Sequence, residues 1–563
     1  MIAIFVSGHL TSIAAEPAEL VLRGGRVVTV DDNLSEAEAL AIRGDRIVAV
    51  GSNADIASFI DEDTRVVDLD GRLAIPGFIE GHGHFLSLGR TKMNLELQHA
   101  GTWDEVVQMV AQAAETAQPG EWIVGRGWHQ SKWSRVPEPN VDGYPTHTEL
   151  SRVTPDNPVL LTHASGHMCF ANADAMQQAV VTAESANPDG GEILKDASGQ
   201  PIGAFRETAQ APIRRAYSRA QAARSEQQRR ADDLRAIDLA GRECLSKGVT
   251  SFHDAGVSFA VVDLFRQLAE EGRLPVRLWV MLREPNNRLR RRIADYRVVG
   301  YGNQFLTVRA IKRMADGALG AHGAWLLSAY ADQPESTGLM IDSTSVLQEA
   351  AKIAVEHDFQ LCVHAIGDRA NREVLNVFRS MFATFPSEPS RRWRIEHAQH
   401  LHPDDIPRFA ELGVIASMQA NHCTSDGPYV VTRLGKQRAQ NGAYAWRSLL
   451  DAGATVINGT DVPVEDVDPI GSFYASVTRK LKDGSRFFPE QCMTREEALR
   501  SYTLDAAFAA FEQDLKGSLT TGKLADITVL SKDVLRCPPD EIPDAKVELT
   551  IVGGRVVYEA MPD

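Results

Sequence analysis

The sequence predicts an α/β protein: a (β/α)8 barrel of the TIM type carrying a small β-sandwich domain formed by both termini. Two observations lead there. Short apolar strands alternate with amphipathic stretches of helical period through the middle of the chain. A five-residue run, Gly-Gly-Arg-Val-Val, recurs near the two ends. A third observation, polar residues falling at the ends of successive strands, marks the face where such a barrel places its chemistry.

The echo lies in "AELVLRGGRVVTV" (residues 18 to 30) and "VELTIVGGRVVYE" (residues 547 to 559). Both read as hairpins turned by their glycines. A lone hairpin is marginal in water, so the termini are expected to meet in one β-rich domain, residues 18–75 with 517–563. "DRIVAVG" and "TRVVDLDGRLAI" supply further strands from the front, and "ADITVLS" from the back. Ahead of it lies an N-terminal apolar segment, residues 1–17. Its "MIAIFVSGHLTSIAA" ends in small residues, as the remnant of a secretory signal does, but it lacks a basic start. The compartment stays open, with the cytoplasm favoured slightly over periplasm or secretion.

The barrel is assigned to residues 76–516. Its strands are read in "LAIPGFIEGHGH", "GVTSFHDAG", "LTVRAIKRMADG", "FQLCVHAIGD", "RWRIEHAQ", "GVIASMQ" and "ATVINGTDVP". Helical stretches such as "SVLQEAAKIAVEHD" and "HPDDIPRFAELG" separate several of them, which implies a parallel sheet of seven or eight units. The largest insertion falls at about 95–245. It contains "WIVGRGWHQ", "PVLLTHASGHMCFAN" and one long helix from Ile213 to Lys247.

Bulk properties exclude several classes. At 563 residues the chain exceeds one simple core. Its 44% hydrophobic and 24% charged residues are those of an ordinary globular protein. A net charge of −16 argues against a nucleic-acid binder, which needs a basic face. The local basic run Arg288, Arg290, Arg291 and Arg292 reads as a solvated helix face. No apolar run reaches eighteen residues, so no membrane partner is expected. Six scattered cysteines give neither a disulfide framework nor a paired metal motif. The expected partner is a small-molecule substrate; oligomeric state is unreadable and compatible with a homodimer.

The strand ends carry the chemistry. "PGFIEGHGHF" places His82 and His84 two residues apart, hence on one face of a strand, with Gly83 letting other backbone pass close by. Later strand ends offer Lys312, His364, His397 and Asp461. Each alone is more often a core histidine or a turn residue. Together, in order and on separate strands, four imidazoles and a carboxylate point to zinc or a similar divalent metal.

With those residues in place the chain resembles the amidohydrolase superfamily, in its amidohydrolase family 3 branch, which includes the N-substituted formamide deformylases. The resemblance rests on "PGFIEGHGH", "GWHQ", "GGEILKDASGQPIGAFRE", "GVTSFHDAG", "IKRMADGALG", "VHAIGDRAN", "RIEHAQ", "GTDVPVE" and "GSLTTGKLADITVL", and covers residues 18 to 563. It implies a metal-dependent barrel with a composite sandwich. It further implies that His82 and His84 bind the more buried of two ions and His364 and His397 the other. Lys312 matches a lysine that becomes a bridging carbamate. Asp461 matches the aspartate that contacts the first metal and handles the proton of the attacking water. The chain departs from the pattern at Glu80, where an aspartate is usual, and in the histidine-rich "LTHASGH".

The chemistry expected is hydrolysis of a non-peptide C–N bond: an amide, N-acyl or N-formyl group, or a cyclic amide. One or two divalent ions, zinc foremost, would activate water, with Asp461 as the proton-handling catalytic group. Two alternatives stand beside it. An amino-heterocycle deaminase would want a glutamate where "HAIGDRAN" supplies Asp368. A catalytically silent binding protein would not need every ligand position filled. Lys312 also has a plain reading, as the ion-pair partner of an acid such as Asp316. Substrate contacts are assigned to Trp128, His129, His167 and Asn421. Trp122, Trp133 and Trp325 are further candidates for an apolar pocket, as is His163 for a polar contact.

Overall fold

The computed structural model describes residues 16–561 apart from 131–132, 165 and 387–390. The apolar start, residues 1–15, lies outside the described residues. Among the described residues, eight parallel strands form the barrel sheet: β1 (Phe78–Gly83), β2 (Val249–Val257), β3 (Arg277–Leu282), β4 (Leu306–Met314), β5 (Gln360–Ala365), β6 (Arg394–His397), β7 (Ile415–Gln419) and β8 (Val456–Gly459). β3 is not among the seven strands read from sequence. Its "RLWVML" is buried at every position, and a short continuous apolar run has no period to read.

The sheet runs in chain order from β1 to β8. Its first and last strands meet beyond their ends: Asp461 donates its N–H to the His82 carbonyl at 2.8 Å, and His84 does so to Val462 at 2.8 Å. Close approach at this seam requires glycine. A Cβ on Gly81 would lie 2.3 Å from the Asn458 carbonyl oxygen, and one on Gly83 would lie 3.0 Å from a methyl of Val462. Glu80 ties the seam further. It accepts the backbone N–H of Thr460 at 2.6 Å and the Thr460 hydroxyl at 3.0 Å. The longer side chain at this position thus joins β1 to the segment after β8.

Of two smaller sheets, one is built from residues 20–68 and the other from both termini, and they share an apolar core that includes Leu22, Val27, Leu40, Ala74, Ile527 and Leu549. The strand Leu73–Pro76 lies between Arg26–Val28 and Ile527–Leu530, so front and back of the chain are hydrogen-bonded neighbours. A buried ion pair joins these sheets to the barrel: Arg277 at the start of β3 meets Asp526 at 2.7 and 3.0 Å.

The two Gly-Gly-Arg-Val-Val runs differ, which corrects the expectation of two hairpins. At the back, Gly553 and Gly554 are both left-handed (φ 55° and 74°), and Val547–Val552 pairs with Arg555–Glu559 as a hairpin. At the front only Gly24 is left-handed (φ 69°). Leu20–Arg23 then pairs with Ala39–Arg43 and Arg65–Asp68, while Arg26–Val28 pairs with Glu36–Ala37 and Leu73–Pro76. There the glycines carry the chain from one sheet to the other.

One compact unit runs to Phe85 and resumes at Gly241; the other is Leu86–Ala240, in the stretch where an insertion is expected at about 95–245. The second unit has its own sheet, in which Ile123–Trp128 lies parallel to Val159–His163 and the remaining long strands are antiparallel. The single helix expected from Ile213 to Lys247 is two, Ala211–Ala223 and Glu226–Ser246. Ser225 explains the break. Its hydroxyl accepts the N–H of Gln228 at 3.2 Å while the Gln228 side chain accepts the N–H of Ser225 at 2.9 Å. That capping box starts a new helix.

Candidate active site

The alternation of the barrel strands sends His253, Lys312, Arg394, Glu396 and Ser417 into a buried polar layer near the C-terminal ends of the strands. His82 belongs to it and is fully buried. Its Nδ1–H is donated to the carboxylate of Glu396, so Nε2 carries the lone pair. That atom lies 3.4 Å from Nζ of Lys312 and 3.6 Å from Oδ1 of Asp461. His84 stands at the rim, with Nε2 3.3 Å from the same carboxylate oxygen.

His397 donates Nδ1–H to Oε1 of Gln419 at 2.6 Å, which frees its Nε2. Its ring centroid stands 4.7 Å from that of His82 and 4.5 Å from that of His364. His364 turns Nε2 toward Asp316, 3.6 Å away. His82, His397 and Asp461 form the tightest set, each offering an atom within 4.8 Å of the others. His82 leans inward to reach Glu396 on β6, whereas His84 remains at the mouth, 3.3 Å from Asp461.

Two of these residues have an unusual backbone. His397 and Asp461 have φ of 75° and 58°, a left-handed conformation that costs a non-glycine residue roughly 1–3 kcal/mol. At His397 the turn has a visible use. Neighbours along a strand point to opposite faces, yet Glu396 and His397 both reach the centre because the chain twists at position 397.

Burial sets the protonation of the cluster. It pulls His82 down to about 4 and His364 to about 3, with Lys312 reinforcing both. The imidazoles are therefore neutral, the form that ligates a metal. Burial opposes the charge on Glu396, yet Arg394 and His82 hold it well below the usual carboxylate range. Burial likewise opposes the charge on Asp461, but a hydrogen bond with His84 and the imidazoles of His82 and His397 beside it keep its pKa lowered. Burial pushes Glu80 up to about 8 against its bonds to Thr460.

Lys312 is buried, and burial lowers its pKa. Among the described residues no ion pair joins it to Asp316. That carboxylate instead accepts the backbone N–H groups of Trp325 at 2.8 Å, Ile366 at 2.9 Å and Gly367 at 2.8 Å.

The substrate assignments fare differently. Trp128 is corrected: it is fully buried in the core of the second unit, where its Nε1–H is donated to the Leu161 carbonyl at 3.0 Å. Trp122 and Trp133 are also core residues of that unit. His129 lies there too, its ring 4.5 Å from that of His163. His167, in the same unit, is exposed and pairs with Glu207 at 3.0 Å. In the barrel unit, Trp325 is half-buried under the Arg369 guanidinium, 4.8 Å away. Asn421 opens the helix Ala420–Leu434 after β7, and its Oδ1 is buried with no hydrogen-bond partner among the described residues.

Sequence reasoning missed Arg394, Glu396, Gln419 and His422. Arg394 holds Glu396 at 2.7 and 3.0 Å and also bonds Gly81, Ser417 and His253. The signal was present, since residues 394 and 396 fall on one face of a strand whose pattern was read from His397 alone.

Residues 65–558 match the model of a family described as the amidohydrolase family. The chain is 31% identical to the protein LONG AFTER FAR-RED 3 of Arabidopsis thaliana, over 98% of this chain and 93% of that one. It is 28% identical to an N-substituted formamide deformylase of Arthrobacter pascens, over 96% and 98% of the two chains. Among solved structures, a metal-dependent hydrolase from Pyrococcus furiosus superposes with a TM-score of 0.71 at 26% identity, covering 92% of this chain and 100% of that one.

Proposed function

The chain belongs to the amidohydrolase family, and on that premise we propose that it hydrolyses a non-peptide C–N bond of a small molecule. The bond is an N-acyl, N-formyl or cyclic amide, and the nucleophile is metal-activated water. The observation that carries this reading is the meeting of His82, His397 and Asp461 within 4.8 Å, with both histidines neutral.

The donor set fits a zinc-like divalent cation. Glu396 and Gln419 occupy the Nδ1–H of His82 and His397, directing both Nε2 lone pairs away from their partners. With Asp461 these residues would hold one ion. His84, 3.3 Å from Asp461, would stand beside the same ion, and His364 with a carbamate on Lys312 would offer a second position. When bound, the metal lowers the pKa of its water and polarises the carbonyl.

The chain's own residues do the rest. Asp461 is anionic and takes a proton from the attacking water as its oxygen bonds to the carbonyl carbon. It then delivers that proton to the nitrogen as the C–N bond breaks, leaving a carboxylic acid and an amine. Buried Glu396 and Arg394 hold the geometry. Asp368 does not favour the deaminase alternative: it opens the helix Asp368–Thr384, and its Oδ1 accepts the N–H of Leu327 at 2.8 Å. No helix among the described residues is long and apolar enough to cross a membrane.

The test is metal analysis of the purified protein with a screen of N-formyl, N-acyl and cyclic amides beside amino-heterocycles. Asp461→Asn is expected to lower kcat by ~10²–10⁴-fold. Release of ammonia from amino-heterocycles, with every amide left intact, would replace this reading with the deaminase.

A further inference from the structure

One buried imidazole outside the candidate ligand set faces the same centre with an unused donor. His422 lies in the first turn of the helix Ala420–Leu434 and is 8% exposed. The side-chain amide nitrogen of Gln399 sits 3.0 Å from its Nδ1. An amide nitrogen can only donate, so Nδ1 accepts and the proton of the neutral ring is on Nε2. That Nε2 is buried without a hydrogen-bond partner among the described residues.

The N–H faces Asp461. The gap from Nε2 to Oδ2 is 3.9 Å, beyond hydrogen-bond reach. The ring lies nearly parallel to that of His397, at 11° with centroids 6.2 Å apart. An unpaired buried donor is unfavourable, and native structures retain few of them without a functional reason. A fourth metal ligand is a poor explanation, because Nδ1 already accepts from Gln399 and Nε2 carries the proton.

Resting on the hydrolase reading above, we propose that His422 is a catalytic residue that donates its Nε2–H to the carbonyl oxygen of the scissile amide. The bond strengthens as water adds and that oxygen becomes an oxyanion. The donor stands close to the group that handles the water proton, so both ends of the addition are served from one pocket. Because Gln399 fixes the tautomer, the donor needs no rearrangement during the reaction.

The experiment compares His422→Phe and His422→Asn with the metal-loaded wild type. The probes are an N-alkylformamide as substrate and an alkylphosphonate as a tetrahedral anion. In His422→Phe, kcat is expected to fall ~10²–10³-fold with KM within a few-fold. Metal content and affinity, read by chelator competition, should stay at wild-type levels, and phosphonate affinity should fall. His422→Asn keeps a donor and should recover part of both losses. Loss of metal from His422→Phe would make the residue a ligand and overturn the proposal; so would unchanged kcat and unchanged phosphonate affinity. A wild type that cleaves no amide would overturn only the proposed reaction, and the phosphonate comparison would still decide for or against His422.

Discussion

His82 and Glu396 are hydrogen-bonded although two strands, β7 and β8, separate theirs in the barrel sheet. The bond crosses the barrel interior, and both residues are fully buried. It couples the first candidate ligand of the chain to a carboxylate more than three hundred residues later. Arg394 clamps that carboxylate with two contacts.

This bond predicts the behaviour of Glu396→Gln. The neutral amide is a weaker acceptor for the Nδ1–H of His82 and leaves the Arg394 guanidinium without its counter-charge. Metal affinity should fall ~10–100-fold, measured by competition with a chromophoric chelator. Stability should fall as well, by about 3–5 kcal/mol in Glu396→Ala, where a buried charge loses its partner. Metal affinity at the wild-type level in Glu396→Gln would show that the carboxylate does not set the ring's orientation.

Lys312 yields a second prediction. Its Nζ is buried 3.4 Å from Nε2 of His82, where an ammonium ion would repel a metal cation. Conversion to a carbamate gives that position a carboxylate-like ligand. Lys312→Ala should lose at least ~10²-fold in activity, since losing a ligand costs no less than losing its outer partner. Short carboxylic acids in the buffer should restore part of it. Full activity in Lys312→Ala with a single ion bound would leave the mononuclear site.

A third prediction concerns acid. Burial first, and then Lys312, hold His82 at about 4 and His364 at about 3, whereas a free imidazole titrates near ~6.5. Between these limits the unfolded chain binds more protons than the native one, so unfolding free energy rises with pH across the window. Chelator-treated protein should therefore lose stability as pH falls from ~6.5 toward 4, followed by urea midpoints. His82→Gln should flatten that slope. A midpoint constant across the window in the wild type would contradict the burial argument.

Much of the architecture was legible because it is local. Strand and helix periods located seven of the barrel strands, and the polar residues ending five of them marked the catalytic face. β3 escaped because its six buried residues alternate with nothing. The twin Gly-Gly-Arg-Val-Val runs show the limit from the other side. The same five letters turn a hairpin at Gly553 and Gly554 but bridge two sheets at Gly24, because the strands available for pairing differ.

The sequence by itself determined the residue types and their order: His82, His84, Lys312, His364, His397 and Asp461 on five separate strand ends, with glycines at 81 and 83 where the seam is tight. Tertiary structure alone decided which of them meet and in what state. His82 joins His397 and Asp461 because closure of the barrel brings distant strands together. His82 and His364 are neutral because burial removes water from them. His422 faces Asp461 because Gln399, on a different strand end, fixes its ring. Distance between remote segments and loss of solvent are properties of the folded chain, and no local pattern of residues encodes them.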